Sequence, residues 1–280
     1  MSGEIPLGTI LITGCSTGIG RACALRMKDL GFSVIASART QSQVDELRSL
    51  GLVALVLDVS REESIKAGVD EALKLAGNHG IRGVFANAGY GQAGALEDIT
   101  AAALREQFET NVVGMHEVNR LLIPHMRAQG GGRIVLNSSV LGVVAMRMRG
   151  AYVMSKWAIE GYGDVLRLEL KPYGFEVSII EPGPVLTRFR ANSLRALDRH
   201  VATEESVHSA RYRVLRKKLM TEGPVAPFTA SADQCVRHVV HAFSAKRPRA
   251  RYRITVQTHV MAALKWLLPT RIMDAIATRG

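Results

Sequence analysis

The chain has 280 residues, 47% of them hydrophobic, enough for one large core, and its 36 lysines and arginines against 25 acids leave a formal charge of +11. Three cysteines, Cys15, Cys23 and Cys235, are odd in number and share no C-x-x-C spacing, which excludes a disulfide framework and a zinc cage. His238 and His241 sit at a helical spacing without a third ligand nearby, so no metal is expected. The charge calls for an anionic partner or a basic surface, but no zinc-finger or aromatic-interleaved pattern accompanies it, and nucleic acid is not the expected partner.

Residues 1–8 lack the basic and apolar regions of a secretory signal, which makes the cytoplasm the expected location. From there, short β-branched apolar runs alternate with amphipathic stretches, the pattern of βαβ units. Strands are expected at 9–13, 33–38, 53–58, 83–87, 133–137 and 176–180, each with Gly, Ser, Asp or Asn near its carboxyl end. Helices are expected at 19–30, 41–50, 62–76, 101–126 and 152–173, the longest broken late by Pro124. The fold class is therefore α/β, a single domain with a doubly wound parallel sheet and helices on both faces. Regularity fails after Gly183, and 188–229 reads as helices and loops. That region, taken as 188–230, is the expected substrate flap, followed by a last strand at 253–256 and an apolar tail to residue 280.

The first strand runs into Thr13-Gly14-Cys15-Ser16-Thr17-Gly18-Ile19-Gly20, and a helix follows at once. Glycines allow close backbone approach there, and the free N–H groups of the helix start attract a pyrophosphate, although a tight strand-to-helix turn needs the same residues. The second strand ends in Arg39 with no carboxylate beside it. A guanidinium grips a phosphate bidentately, which favours NADP(H) over NAD(H). Asp58, followed by Val59, is placed to accept from an adenine amine, and Asn87-Ala88-Gly89 brings small backbone against a ribose.

Tyr152 and Lys156 are four apart near the start of a helix and share a face. A cation about 4 Å from a phenol contributes about 4 kcal/mol at an effective dielectric of about 20, which would bring the phenol toward neutrality and suit it to acid/base work. Ser139 ends the fifth strand at the same sheet edge, where its hydroxyl can meet a substrate oxygen. Asn111, inside the long helix, can hold a water against Lys156. Each of these residues taken alone has a bland reading as a turn, helix-interior or surface residue.

Together and in this order, they resemble the short-chain dehydrogenase/reductase family over residues 8–190. The family's T-G-x-x-x-G-x-G matches Thr13 to Gly20, and its Asn-Ser-Tyr-Lys tetrad matches Asn111, Ser139, Tyr152 and Lys156. Ser139 is preferred to Ser138 because the family's serine lies thirteen residues before the tyrosine. Pro182-Gly183-Pro184-Val185-Leu186-Thr187 looks like the family's P-G-x-V-x-T, whose backbone and threonine hold the nicotinamide carboxamide. Ala86 departs from the usual N-N-A-G, but Asn87 remains. The form with Arg39 is similar to NADP-linked 17β-hydroxysteroid and retinol dehydrogenases and bacterial aldehyde reductases, where Thr17 would share the 2′-phosphate. The resemblance implies a Rossmann-type fold, hydride transfer to or from a carbon bearing oxygen, NADP(H), and a homodimer or homotetramer. The alternative, a cofactor-sensing protein without turnover, has no need of an intact tetrad.

Val185, Leu186, Phe189, Leu194 and Leu197 follow at spacings that suit an apolar flap, so an apolar aldehyde, ketone or alcohol of retinoid, steroid or fatty type is the expected substrate. Residues 260–268 are apolar but interrupted by Lys265 and ended by Pro269, short of the ~20 residues of a membrane span. Packing on the core, a subunit interface, or a peripheral contact with an anionic membrane beside residues 247–253 remain open for this segment.

Overall fold

The computed structural model describes residues 8–224 and 227–279. The expectation resting on the first residues falls on 1–7, outside the described residues, as do positions 225–226 of the flap and position 280.

Seven strands form one sheet: β1 (Thr9–Ile12), β2 (Val34–Ala38), β3 (Val53–Val56), β4 (Ile81–Ala86), β5 (Gly132–Asn137), β6 (Phe175–Glu181) and β7 (Arg251–Arg253). Their order is β3-β2-β1-β4-β5-β6-β7 and every pairing is parallel. Alternate residues of each strand face opposite layers. Ile10 and Ile12 pack with α1 (Gly18–Asp29), α2 (Gln41–Ser49) and α9 (Ala232–Ser244), whereas Leu11 packs with α3 (Glu62–Ala76), α5 (Gly114–Ala128) and α6 (Gly150–Leu170). With both faces covered, strands read as unbroken apolar runs. The chain winds from β1 toward β3, then returns to place β4 on the other side of β1. Loops after β1 and β4 diverge there and open a crevice at the carboxyl edge.

Two expected elements differ. The long helix at 101–126 is three pieces: α4 (Ala101–Phe108), a π-helical turn (Glu109–Val113) and α5. Pro124 does not break it; it lies in the last turns of α5, where one lost ladder bond is tolerated, and the helix continues to Ala128. The strand expected at 253–256 is β7, at Arg251–Arg253, while Thr255 instead caps α10 (Val256–Leu267) by accepting from the N–H of Thr258. The β-branched run at 254–256 has strand propensity, but the hydroxyl of Thr255 gives the backbone a helix start.

After β6 come α7 (Phe189–His200) and α8 (Ser209–Met220), and the chain ends in α10 and α11 (Thr270–Arg279). One face of the last two helices packs on the core beside Tyr152, through Met261, Leu264, Met273 and Ile276. The other face leaves Trp266 85% exposed.

Candidate active site

The turn between β1 and α1 is shaped by Gly14 and Gly18, at φ 72° and 63°, in the left-handed region that favours glycine. A Cβ on Gly14 would stand 2.8 Å from Ala88 Cα, and one on Gly18 3.2 Å from Thr187. Gly20 serves packing: a Cβ there would meet Asn87 Nδ2 and Gly14 O at 2.5 Å. The first turn of α1 carries no acid, and Thr17 makes no side-chain cap, so its N–H groups stay available to an anion. A cleft of about 650 Å³ lies over this turn. Its walls include Gly14, Ser16, Thr17, Gly18, Ile19 and Arg39, and opposite the β1 loop Val59, Asn87, Ala88 and Gly89. These residues fit a dinucleotide: bare backbone for the pyrophosphate and a cation beyond β2. Asp58 is not on the wall; its carboxylate accepts from the Ser60 N–H at 3.0 Å and hydroxyl at 2.8 Å, leaving Val59 and Ser60 to face the cleft.

A polar net that sequence reasoning missed joins the strand ends. Thr13 Oγ1 accepts from the N–H groups of Asn87 and Ala88, both at 3.0 Å. Asn87 Nδ2 donates to Thr13 O at 2.9 Å, and Asn137 Nδ2 donates to Asn87 Oδ1 at 2.9 Å. Asn137 also offers its carbonyl to Lys156 Nζ at 2.6 Å. Its only sequence signal is an asparagine at a strand's carboxyl end.

Tyr152 lies in the first turn of α6, buried, and lines the same cleft as Ser139, which acts to lower its phenol pKa. Ser139 is held by accepting from Leu141 N at 3.1 Å. Asn111 sits in the π-helical turn, a local widening common at functional sites. Its Nδ2 donates to Tyr90 O at 2.9 Å and to Ser155 Oγ at 3.1 Å, and Ser155 in turn donates to Tyr152 O at 2.8 Å. Asn111 thereby ties the start of α6 to the β4 loop. Ser155 is a second residue the sequence did not single out, because i+3 back-bonding serines are common in helices.

The electrostatics differ from the sequence expectation. Burial pushes the Tyr152 phenol up to about 12, against the opposing effects of Ser139 and Arg149. Lys156 Nζ is 5.5 Å from the Tyr152 ring centre, and its own desolvation brings it down to about 7, partly offset by Glu160. A lysine half neutral near pH 7 cannot give the phenol the full attraction of a fixed cation. One turn on, Glu160 belongs to a buried ion cluster. Arg251 Nε lies 3.1 Å from Glu160 and 3.3 Å from Glu181, and its Nη2 lies 2.6 Å from Asp164. Desolvation, reinforced by Glu160, pushes the Glu181 carboxyl up to about 7 despite both arginines of β7.

A second cleft, about 970 Å³, adjoins the first and shares Asn87, Gly89 and Thr187 with it. Ser139, Tyr152 and Lys156 line it together with Pro182, Gly183 and Val185. A family model described as short chain dehydrogenase matches residues 8–198. The chain belongs to the short-chain dehydrogenase family. It is similar to the uncharacterized oxidoreductase YbbO of Escherichia coli, 38% identical over 276 residues, 99% of this chain and 96% of that one. It is also similar to retinol dehydrogenase 16 of Mus musculus, at 30% identity with 95% and 86% covered. With the NADPH-dependent 3-dehydrocapnine reductase of Ornithobacterium rhinotracheale it shares 29% identity, with 95% and 94% covered. This short-chain dehydrogenase is thus an oxidoreductase of a family that uses a nicotinamide cofactor. Among the described residues, no helix is long and apolar enough to cross a membrane.

Of the expected flap residues, Val185, Leu186 and Phe189 line the second cleft, but Leu194 and Leu197 do not. They turn to Ala93, Val201 and Tyr212 and hold α7 against α8, while Asn192, Arg195 and Ala196 of α7 face the first cleft.

Proposed function

We propose that this protein is an NADP(H)-dependent oxidoreductase acting between the carbonyl and alcohol forms of an apolar substrate, with Tyr152 as acid/base. The observation that carries this reading is the place of the Tyr152 hydroxyl. It stands with Ser139 on the wall of a cleft whose other sides are Val140, Leu141, Met148, Leu186 and Phe189, directly beside the glycine turn. An apolar wall favours apolar ligands by about 25 cal/mol per Å² of surface buried.

The bound nicotinamide supplies or accepts the hydride. In reduction, Ser139 and Tyr152 donate hydrogen bonds to the carbonyl oxygen, and Tyr152 delivers its proton to that oxygen as the alcohol forms. A phenol pushed up by burial stays protonated until a base develops beside it, which suits a proton donor. Lys156, anchored by Asn137, stands behind as the cation that steadies the phenolate left by the transfer. Asn111 and Ser155 fix the turn that carries Tyr152.

Preference for NADP(H) is supported by Arg39 at the cleft wall, with no acid at the end of β2, and by the NADPH dependence in the reductase relative's name. The segment 188–230 and the C-terminal helices act as the cover of the substrate cleft, and the assembly is a homodimer or homotetramer. A cofactor-sensing protein without turnover is not favoured, because it gives no account of the Ser139–Tyr152 pair. A series of linear aldehydes with NADPH and NADH tests the reading. Catalytic efficiency should rise over several methylenes, and Arg39→Ala should weaken NADPH far more than NADH. A flat series removes the apolar substrate, and equal losses for both cofactors make Arg39 structural.

A further inference from the structure

We infer that the substrate is an amphiphile, an apolar carbonyl compound that also carries an anionic group, carboxylate or phosphate monoester, received by Arg149 and Arg190. The inference rests on the apolar-carbonyl reading above and adds a charge to it.

The cleft around Tyr152 is apolar in its walls but not neutral. Besides Lys156, its lining contains Arg147, Arg149, Arg190, Arg211 and Lys218, and no aspartate or glutamate among the described residues. Two of these cations are incomplete. Nη1 of Arg149 and Nη1 of Arg190 are both buried without a hydrogen-bond partner. A guanidinium stays charged at any physiological pH, and a buried charged donor without a partner is among the costlier defects a fold can carry. Arg251 by contrast faces three carboxylates and Arg133 donates to the carbonyls of Ala242 and Ala245, while Arg21 Nε and Arg167 Nη2, also buried without a partner, belong to guanidiniums ion-paired with Glu46 and Asp164. Around Tyr152 the defect is left standing twice in one cleft.

The phosphates of the cofactor do not account for these donors: the cleft over the glycine turn includes neither Arg149 nor Arg190 in its lining. The end of the cofactor that would enter the second cleft, beside Pro182, Gly183 and Val185, is the nicotinamide. Arg190 is also oriented, since its Nη2 donates to Gly223 O and holds the guanidinium between α7 and the segment after α8. Arg149 sits three residues before Tyr152, and burial holds its guanidinium below the usual arginine range. Its charge acts on the Tyr152 phenol, so an anion paired with it would lie near the reacting carbon rather than at the distal end of a long chain. The cleft thus offers an apolar surface for the chain, Ser139 and Tyr152 for the carbonyl oxygen, and two preformed guanidinium donors for a negative group.

The test uses the full-length protein and simple ligands whose binding is read without turnover. Titration calorimetry compares decanoate, decyl phosphate and methyl decanoate on the wild type, Arg149→Gln and Arg190→Gln, with circular dichroism to confirm folding. At least one anion should bind about tenfold or more tighter than the neutral ester, as expected for charge-assisted hydrogen bonds. That gap should shrink in either variant while affinity for the ester holds. Which anion wins identifies the head group. Equal affinity of the wild type for ester and both anions overturns the inference without need of a variant, as does an equal loss for anion and ester in both variants. Turnover of the aldehyde series without preference for anions leaves the oxidoreductase reading intact and removes the charge. Tight anion binding with no aldehyde turned over does the reverse.

Discussion

In the proposed reaction Tyr152 works through a single oxygen, so Tyr152→Phe would remove the acid/base and little else. Turnover should fall by about 10²-fold or more, while NADPH binding by fluorescence and the thermal transition stay near wild type. Undiminished turnover would move the proton donor elsewhere. Lys156 gives the second residue-scale expectation. Desolvation brings it down to about 7, so its ammonium is present below that pH and lost above it. The kcat/KM for NADPH, which reports the free enzyme, should decline as pH rises through about 7, and in Lys156→Arg that inflection should vanish because the guanidinium stays charged. An inflection unchanged in Lys156→Arg would assign it to another group. Stability runs the other way: between about 7 and the unfolded value near 10.4 the unfolded chain binds the extra proton, so the contribution of Lys156 grows with pH across that window. The residue types and their i,i+4 spacing were legible in the sequence. Their electrostatics were not, because the burial of Tyr152 comes partly from Met273 and its neighbours, more than a hundred residues further along the chain.

Elements were legible wherever local pattern and tertiary environment agreed. Six strands with Gly, Ser, Asp or Asn near their carboxyl ends announced the crevice, and the glycines after β1 announced the tight turn into α1. The π-helical turn at Glu109–Val113 was hidden, because its cause is the reach of Asn111 to Tyr90 and Ser155, contacts 21 and 44 residues away. β7 was displaced for a similar reason. Arg-Tyr-Arg is a poor strand by pattern, and its place beside β6 is secured by ions: Arg251 meets Glu160, Asp164 and Glu181, and Arg253 meets Glu181 at 3.4 Å. Glu181 is 0% exposed and already pushed up to about 7, so loss of Arg251 leaves it with Arg253 alone and costs it either an unbalanced charge or an extra proton, while Glu160 and Asp164 lose a partner as well. Arg251→Met should therefore destabilise the fold by about 1–2 kcal/mol, read from urea unfolding, below the penalty of a fully broken buried pair because Arg251 is partly exposed and Arg253 still faces Glu181. A loss below about 0.5 kcal/mol would show the cluster to be ornamental.

At the scale of the whole molecule, α6 presents both Tyr152 and an outward stripe of Met154, Trp157, Val165 and Leu168, the last 74% exposed. Apolar side chains at helical spacing on a surface mark a contact, and a second copy of the same helix is self-complementary to it across a two-fold axis. Sedimentation should find a dimer or tetramer, and Leu168→Lys should shift it toward monomer; a wild-type monomer would refute the assignment. The ion cluster under β7 also sets an order in time. Arg253 follows Glu181 by 72 residues, an interval that takes about 4 to 14 seconds to translate at about 5–20 residues per second. Throughout that interval the nascent sheet stops at β6, with one strand edge open and a carboxylate still waiting for its cations. The newborn chain is thus most vulnerable to pairing with a neighbour after its glycine turn has been synthesised, and the last strand covers β6 and leaves as the new edge only three residues, two of them arginines.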